Sequence, residues 1–562
     1  MAFQLSPGVN VSEIDLTTVV PSVLTTAGAF AGTFQWGPAN KVVLVDSEIT
    51  LSKTFGTPDN DSAISFFTAA SFLAYGNNLS LVRAVGAHSN NATSSANVQI
   101  LNSDQFQYEY LDTDHANAYG AFVARYPGAL GNSLVVSVCD NSTDFASWSY
   151  KNYFTSAPST SDFASAVGGV HDELHIAVVD AGGLFTGTAG TVVETYPFVS
   201  KASDASVSGS TNYYKQVIFN QSKYVYAVDP VSYSATHLTW GQPAAGVTFT
   251  QLSGNVATTL TTGTSVSPAQ GDLETALDLF VNKETIDISL VLTGDANVAI
   301  QQYAIDNVVN VRKDCVAFIS PPQASVVNSS GEESGNITTW LASLARTSSF
   351  VVADSGWKYM FDKYNNVYRW VPLNGDVAGL CVNTDTVRDP WYSPAGFNRG
   401  AIKNAIKLAW NPNKTYRDAL YAAGVNPVVS FPGQGIVLFG DKTLLNKPSA
   451  FDRINVRRLF IVLEKSIAKA AQFSLFEFND EFTRAQFVAL VTPFLRDVQG
   501  RRGITDFKVV CDTTNNTSQV IDSNQFVGDI YIKPARSINF IQLNFVAVGT
   551  GVNFSEVAGA TS

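Results

Sequence analysis

Two closely spaced histidines are the first residues whose types and spacing suggest chemistry. His171 and His175 enclose Asp172, Glu173 and Leu174. A zinc site of the His-Glu-x-x-His kind needs the glutamate directly after the first histidine, and an aspartate takes that place here. The residues that follow have the pattern of a strand, and no third ligand is evident. We therefore expect no metal site and no metal cofactor.

A glycine-flanked segment is the second candidate, because a phosphate-binding loop also places a lysine after two glycines. The segment runs from Gly435 through Gly440 to Lys442. Asp441 separates the second glycine from the lysine and would put an acid beside the phosphates. The four apolar residues between the glycines favour a strand over a nest of backbone N–H groups. Because a Gly-x-Ser-x-Gly elbow is also missing, we expect no cofactor and no catalytic residues, and hence no enzyme.

Three arginines crowd the beginning of a helix predicted over residues 452–473. Arg453, Arg457 and Arg458 lie in its first turns, and apolar residues recur at helical spacing from Val456 onward. The positive end of the helix macrodipole favours acidic side chains at that place. The arrangement therefore indicates that the arginines have partners from elsewhere. The alternative is a solvated basic end whose arginines contact neighbours one turn away.

The composition indicates several ordered domains. The chain has 562 residues, of which 45% are hydrophobic and only 15% charged, so extensive disorder is excluded. The length corresponds to roughly three to four domains. The formal net charge of −12 argues against a general nucleic-acid binder. Lys and Arg nevertheless outnumber Asp and Glu in residues 396–548, so this region could meet an acidic partner or the acidic part of a neighbouring copy.

The cysteines and the beginning of the chain indicate a protein made in a cytosol. Four cysteines lie far apart without a Cys-x-x-Cys pair, which fits free thiols in a reducing compartment better than a disulfide framework. The first residues lack the basic-then-apolar pattern of a signal peptide. No apolar run approaches the roughly 20 residues that a membrane-spanning helix needs, so we expect no membrane insertion.

The predicted elements divide the chain into domains of mixed class. Residues 21–96 and 285–395 alternate strands and helices and form one predicted N-terminal α/β domain. A β-rich insertion over residues 97–284 interrupts it. Residues 396–548 predict a C-terminal α/β domain with two long helices and several strands. The predicted fold class is therefore a multidomain α+β and α/β protein with a β-rich insertion.

Two terminal arms flank these domains, at residues 1–20 and 549–562. Val9 and Val11 alternate with polar residues at strand period after a Pro-Gly break. A single terminal strand has no local partner and must add to a sheet of its own chain or of another copy. We predict that the arms make inter-subunit contacts through Val9, Val11, Ile14, Phe554 and Val557.

Five segments of the chain carry a resemblance to one known family. They are ARYPGALGNSL at 124–134, DPWYSPAGFNRG at 389–400, the stretch from NP to FPGQG at 426–435, the stretch from FGDKT through the three arginines at 439–458, and SPGV at 6–9. The first resembles an early signature of contractile tail sheath proteins of myophages, the next three resemble the C-terminal domain of those proteins, and the last resembles their N-terminal arm. The likeness is greatest to the T-even type, covers nearly the whole chain and is weakest in the insertion.

The resemblance implies a structural subunit of a virion tail. Such subunits assemble in the host cytoplasm as a helical stack of rings around a rigid tail tube, and contract on a baseplate trigger to drive the tube through the host envelope. It also implies a C-terminal domain that lines the tube, an insertion that faces outward and arms that join the sheets of neighbouring subunits. The expected partners are further copies, the tail tube protein, and baseplate and tail terminator proteins.

For the tube contact we predict Arg453, Arg457 and Arg458. The alternative is that these arginines pair with acids of their own domain, such as Asp452 or Glu477. Three other functions stay open from the residues: a sheath of a tailocin or another contractile injection system, a cytosolic α/β enzyme, and a non-contractile structural protein of a virion. In electron micrographs of the overexpressed protein, long hollow sheaths would favour a sheath and globular particles would favour the enzyme. A neighbouring capsid gene or the size of the purified particle would separate a phage tail from a tailocin.

Overall fold

The computed structural model describes residues 20, 23–231, 239–539 and 541–543. Most of the two predicted arms therefore lies outside the described residues, including Val9, Val11, Ile14, Phe554 and Val557. Within the described part, no helix combines the length and the apolar character that crossing a membrane requires.

Strands of two to ten residues occur along the whole described chain. In chain order they are β1 Gly28–Gly32, β2 Val42–Val45, β3 Leu79–Arg83, β4 Phe122–Ala124, β5 Leu134–Cys139, β6 Glu173–Asp180, β7 Thr191–Ser200, β8 Ser206–Val207, β9 Ser210–Thr211, β10 Val225–Ala227, β11 Val256–Thr259, β12 Leu290–Leu292, β13 Val316–Ile319, β14 Val351–Asp354, β15 Trp357–Asp362, β16 Val367–Pro372, β17 Lys407–Leu408, β18 Val425–Asn426, β19 Val428–Phe431, β20 Gly435–Leu438, β21 Ile504–Val510 and β22 Asp529–Pro534.

The α-helices are longest near the C-terminus. In chain order they are α1 Glu48–Phe55, α2 Ala63–Leu73, α3 Ser103–Glu109, α4 Ser142–Phe145, α5 Asp162–Ala166, α6 Tyr214–Gln221, α7 Gln270–Asp278, α8 Val298–Tyr303, α9 Asn310–Arg312, α10 Gln323–Val326, α11 Glu333–Leu344, α12 Asn374–Val387, α13 Lys414–Ala422, α14 Ile454–Ala471, α15 Glu481–Gly500 and α16 Ser518–Asp522. A π-helical segment, Ala304–Val309, joins α8 to α9.

The largest sheet combines two distant parts of the chain. Its strand order is β18-β14-β13-β12-β1-β3-β2, and every neighbouring pair is parallel except β2 and β3. Strand β1 precedes the β-rich region and pairs with β12, which follows it, in a register that sets Gly28 opposite Leu290. The central strands β1, β12, β13 and β14 are buried almost throughout, as expected for a parallel sheet covered on both faces.

Helices cover the two faces of this sheet with separate apolar cores. On one face, α2 and α12 contribute side chains such as Phe66, Phe72 and Leu380. On the other face, α7, α8 and α11 contribute side chains such as Leu277 and Trp340. Helices α2 and α12 approach each other closely at Gly375, where an added Cβ atom would lie 2.5 Å from the backbone oxygen of Thr68. The mixed α/β architecture that the sequence predicts is thus confirmed.

The β-rich region has its own sheet and its own core. Strands β11-β5-β6-β7 form an antiparallel sheet, and β10 pairs with β4. Inward residues from these strands, among them Val136, Ile176 and Tyr196, pack together. The Nζ atom of Lys201 lies 2.8 Å from Oδ2 of Asp140, and both side chains are fully buried.

Two boundaries differ from those predicted. Helix α7 falls within the predicted insertion, 97–284, yet its apolar side packs in the core of the large sheet. Strands β17 and β18 fall within the predicted C-terminal domain, 396–548, yet they pair with β15 and β14 of the preceding region. Both differences have the same cause: periodicity identifies an element but not the sheet that it joins.

A C-terminal helical hairpin, α14 and α15, packs on the strands β21 and β22. Leu459 and Leu463 of α14 meet Val491 and Leu495 of α15 in one core. Helix α14 was predicted to begin at residue 452, but it begins at Ile454, because Arg453 has extended backbone angles, φ −118° and ψ 138°. Strands β21 and β22 pair only with each other within the described residues.

Candidate functional site

The histidine pair forms no metal centre in the structure. The ring of His175 is stacked on Phe154 with centroids 4.4 Å apart, and both ring nitrogens are occupied. Its Nε2 atom lies 2.8 Å from the oxygen of Ser156, and its Nδ1 atom accepts a hydrogen bond from the backbone N–H of Phe198. Burial lowers the pKa of His175, which favours the neutral ring. No cluster of three His, Cys, Asp or Glu side chains suited to a metal ion occurs among the described residues.

The glycine-flanked segment is a strand, as the sequence predicts. Gly435–Leu438 forms β20 and pairs antiparallel with β19. The acid that follows it, Asp441, is buried and joins three parts of the chain: it accepts hydrogen bonds from Tyr421, Arg453 and Ser537. The carboxylate of Asp441 therefore connects distant parts of the chain. A phosphate-binding loop would instead present free backbone N–H groups at this place.

Arg458 is the most deeply buried of the three arginines of α14. Its Nη1 and Nη2 atoms lie 2.8 Å and 2.6 Å from the two carboxylate oxygens of Asp385, at the end of α12. Both side chains are 4% exposed. Nη2 also donates to the oxygen of Thr25 and Nη1 to that of Cys381. Although burial disfavours the charge, the Asp385 carboxylate contributes to raising the pKa of Arg458 above its usual value.

Arg457, the neighbouring residue of the helix, is also buried. Its guanidinium lies over the rings of Phe350 and Phe451, 4.4 Å and 4.6 Å from the centroids. Its Nη2 atom is 3.3 Å from a carboxylate oxygen of Glu464. Burial lowers the pKa of Arg457 and outweighs the opposite effect of Glu464. The structure thus buries both Arg457 and Arg458 within the protomer.

Arg453 is the one of the three that reaches the surface, with 21% of its side chain exposed. Its Nη1 atom donates to Asp441 at 3.1 Å and to the hydroxyl of Tyr421, and its Nε atom lies 3.5 Å from Asp452. Arg453 and Arg458 thus have acidic partners outside α14, Asp441 and Asp385, whereas the ion pair of Arg457 is with Glu464 of the same helix. The tube contact of these arginines stays a prediction. The pairing of Arg453 with Asp452 also agrees with the alternative that we considered.

Two surface features of the C-terminal region were missed by the sequence reasoning. One is the β21–β22 sheet, whose outer edges have no strand neighbour among the described residues. The other is the connection between α14 and α15, which exposes large apolar side chains; they are Phe473, Leu475, Phe476, Phe478 and Phe482. The signal for the second feature was the density of phenylalanines around a polar Asn-Asp pair, which fits neither a core helix nor an ordinary loop.

Family models match three parts of the chain. The model described as "Tail sheath protein Gp18 domain III N-terminal region" matches residues 25–84, the phage tail sheath protein central domain matches residues 270–444, and the phage tail sheath C-terminal domain matches residues 446–547. The central and C-terminal models meet just before α14. The β-rich region between residues 84 and 270 lies outside all three.

Relatives match over almost the full length. The tail sheath protein of Vibrio phage KVP40 is 33% identical, with 99% of this chain and 100% of the relative covered. The tail sheath protein of Enterobacteria phage T4 is 32% identical, with 99% of each chain covered. Among solved structures, the sheath tail protein Lin1278 from Listeria innocua is similar in fold, with a TM-score of 0.53 and 12% identity over 90% of this chain and 94% of that one. The chain belongs to the family of phage tail sheath proteins.

Proposed function

We propose that this chain is the structural subunit of a contractile phage tail sheath in the virion tail. The observation that carries the proposal is the family membership, which extends over 99% of the chain at 32–33% identity to two phage tail sheath proteins. A structural role also agrees with the bonding of the candidate chemical residues, since His175 and Asp441 serve local packing. Identity to phage proteins above 30% favours a phage tail over a tailocin or another injection system.

In this proposal the subunits polymerise helically through their terminal arms. The β21–β22 sheet supports the idea, because both of its outer edges are open within the described residues and an open edge presents unpaired backbone groups to an added strand. Strands supplied by the arms of neighbouring copies, with Val9, Val11, Ile14, Phe554 and Val557 as their apolar contacts, would complete such a sheet. A repeated contact of this kind that does not close on itself generates a helix of subunits.

The remaining partners follow from the same role. The C-terminal domain would line the tail tube, the β-rich region would face outward, and the baseplate and tail terminator would bind the two ends of the sheath. Of the three arginines, only Arg453 keeps an exposed part with which to contact a tube. We therefore retain Arg453 as the candidate tube contact. Arg458 instead joins α14 to Asp385 of α12, and the guanidinium of Arg457 lies over the ring of Phe350.

Contraction needs no nucleotide in this scheme. If the arms stay paired by backbone hydrogen bonds, the protomer bodies can rotate and slide while remaining connected. The extended sheath is then a trapped packing of higher free energy. A difference of a few kcal/mol per subunit, the scale of an ordinary two-state bias, becomes large when multiplied along a sheath.

Deletion of residues 1–19 tests the arm model. Val20 is kept because it is buried. We expect the truncated protein to fold, with an unchanged circular dichroism spectrum and melting temperature, but to form few or no sheaths in electron micrographs. Deletion of residues 549–562 is the matched variant at the other end and should have the same effect. Normal sheath assembly by both truncated proteins would refute the arm model.

A further inference from the structure

Residues 473–482, which comprise most of the connection between α14 and α15 and the first two residues of α15, present an unusual apolar surface. We name it the phenylalanine loop. Phe476 is fully exposed, and Phe478 and Phe482 are 84% and 72% exposed. Clustered apolar groups of this size at a protein surface mark an interaction site. Glu477 and Glu481 lie among them and form no ion pair with any described residue, so the loop combines apolar bulk with unpaired negative charge.

The phenylalanine loop is held in a defined shape by its own polar residues. The Nδ2 atom of Asn479 donates to the backbone oxygen of Gln525 at 2.7 Å, and the buried Arg484 donates to both oxygens of Asn479. Asp480 caps α15 by accepting a hydrogen bond from the N–H of Thr483. Phe476 adopts a φ of +70°, a strained conformation for a bulky residue. A loop fixed in this way presents its rings in advance of binding and loses little entropy on docking.

A large cleft lies at the opposite end of the same helical hairpin. It has a volume of about 1110 Å³ and includes the aromatic side chains of Trp391, Tyr392 and Phe439. We name it the basic cleft, because four arginines line it; they are Arg399, Arg417, Arg502 and Arg536. Arg502 and Arg536 are exposed and form no ion pair with any described residue. The two acids of the cleft are engaged already, Asp418 with Lys414 and Asp441 with Arg453.

The geometry prevents the phenylalanine loop from reaching the basic cleft of its own protomer. Asn455, in the first turn of α14, lines the basic cleft, whereas the phenylalanine loop follows the last turn of that helix. The 18 residues of α14 span about 27 Å at 1.5 Å per residue. Because the hairpin core fixes α14 against α15, the loop cannot fold back over this distance. Any docking of loop into cleft must join two different copies.

We propose that the phenylalanine loop of one copy seats in the basic cleft of the next. The rings of the loop would pack on the aromatic floor of the cleft, as buried aromatic anchors do in stable interfaces. Glu477 and Glu481 would pair with Arg502 and Arg536. The two surfaces differ, so the contact is heterologous and head-to-tail, and a contact of this kind that does not close into a ring generates an open-ended polymer. The proposal rests on the proposed sheath function and adds to it a contact that is independent of the arms.

A charge exchange between the two surfaces tests the proposal. One variant carries Glu477→Lys and Glu481→Lys in the loop, and the other carries Arg502→Glu and Arg536→Glu in the cleft. We expect each variant to fold, as its circular dichroism spectrum and melting temperature will show, and to lose polymerisation alone. An equimolar mixture should recover it, because every junction between unlike copies then pairs opposite charges. The exposed change Glu109→Lys is the control and should leave polymerisation intact.

Disulfide trapping identifies the partner directly. The four native cysteines are buried, so added surface thiols react selectively. Polymers of a protein with both Phe476→Cys and Asn398→Cys should give a ladder of covalent oligomers on oxidation. Each single variant should give no ladder. Polymers that yield no ladder, or a loop thiol that traps a tail tube protein or the C-terminal segment instead, would overturn the proposal. If the wild-type protein forms no polymers at all, it is the sheath function that fails.

Discussion

Replacement of Arg458 by alanine will destabilise the folded protomer strongly. The change removes a guanidinium that is bonded through both Nη atoms to Asp385, and that also satisfies the backbone oxygens of Thr25 and Cys381. Asp385 would then remain as a buried carboxylate without its counter-charge. Because Arg458 joins α14 to α12 and to the segment before β1, its loss affects the attachment of the hairpin to the large sheet.

The expected loss is about 3–5 kcal/mol, the range found when one member of a buried ion pair is removed. The side chains of Arg458 and Asp385 are each 4% exposed, so water can do little to solvate the unpaired carboxylate of Asp385. A matched double variant, Arg458→Met with Asp385→Leu, removes both charges while filling the space. It should recover most of the lost stability, since a buried ion pair is worth little more than well-packed apolar groups. Lys41→Ala breaks an exposed pair with Asp104 and should cost under about 1 kcal/mol.

These differences can be measured by urea unfolding of the unpolymerised protein, followed by circular dichroism. A change in stability shifts the urea concentration at the midpoint of unfolding and leaves the m-value unchanged. The order of stability should be wild type, Lys41→Ala, the double variant and then Arg458→Ala. A loss below about 1 kcal/mol for Arg458→Ala, combined with a defect in assembly on the tail tube, would refute our reasoning. Arg458 would then act at the tube surface, as the sequence first led us to expect.

Two further predictions concern packing and pH. Gly375→Ala should destabilise the protomer by about 1–3 kcal/mol in urea unfolding, because the added Cβ would lie 2.5 Å from the backbone oxygen of Thr68. The control is Gly335→Ala in α11, where an added Cβ meets nothing within 4 Å. That variant should stabilise the protomer by about 0.5–1 kcal/mol. Burial raises the pKa of Asp354 from 3.8 to about 8. Between pH 3.8 and about 8, the folded protein therefore holds a proton on Asp354 that the unfolded chain releases. The free energy of unfolding should consequently fall as the pH rises through this range. Asp354→Asn should make the free energy of unfolding depend less on pH. An unchanged pH dependence in this variant would contradict the role given to Asp354.

The sequence predicted many of the elements well, because their patterns are local. The patterns predict strands at residues 42–45 and 316–319, which are the bounds of β2 and β13. They also predict helices that begin at residue 63 and near residue 481, where α2 and α15 begin. Runs of Val, Ile and Leu identify buried strands, and a stripe at helical spacing identifies a helix. The assignment of strands to sheets was harder, because pairing depends on contacts far apart in sequence. The short strands β17 and β18 illustrate this, since two residues carry no periodicity.

The phenylalanine loop shows a second limit of pattern reasoning. The helix predicted over residues 452–473 ends at Phe473, and the apolar side chains of such a helix usually face a core. In the structure the polar anchors of Asn479 hold the connection so that the rings point outward. Exposure is a property of the folded surface, and a sequence gives it only when the position of every neighbouring element is known.

The arginines of α14 explain why a correct pattern led to an uncertain site. The predicted stripe of Leu459, Leu463 and Ile467 is buried, but it meets only the core shared with α15. On the other side of the helix, Ile454 and Ile461 pack in the core of the large sheet. A helix between two cores has little polar surface, so arginines beside the stripe enter the interior and must be paired there. The periodicity of apolar residues in α14 identifies one buried face of the helix. The burial of the second face depends on the large sheet and can be recognised only from the folded structure.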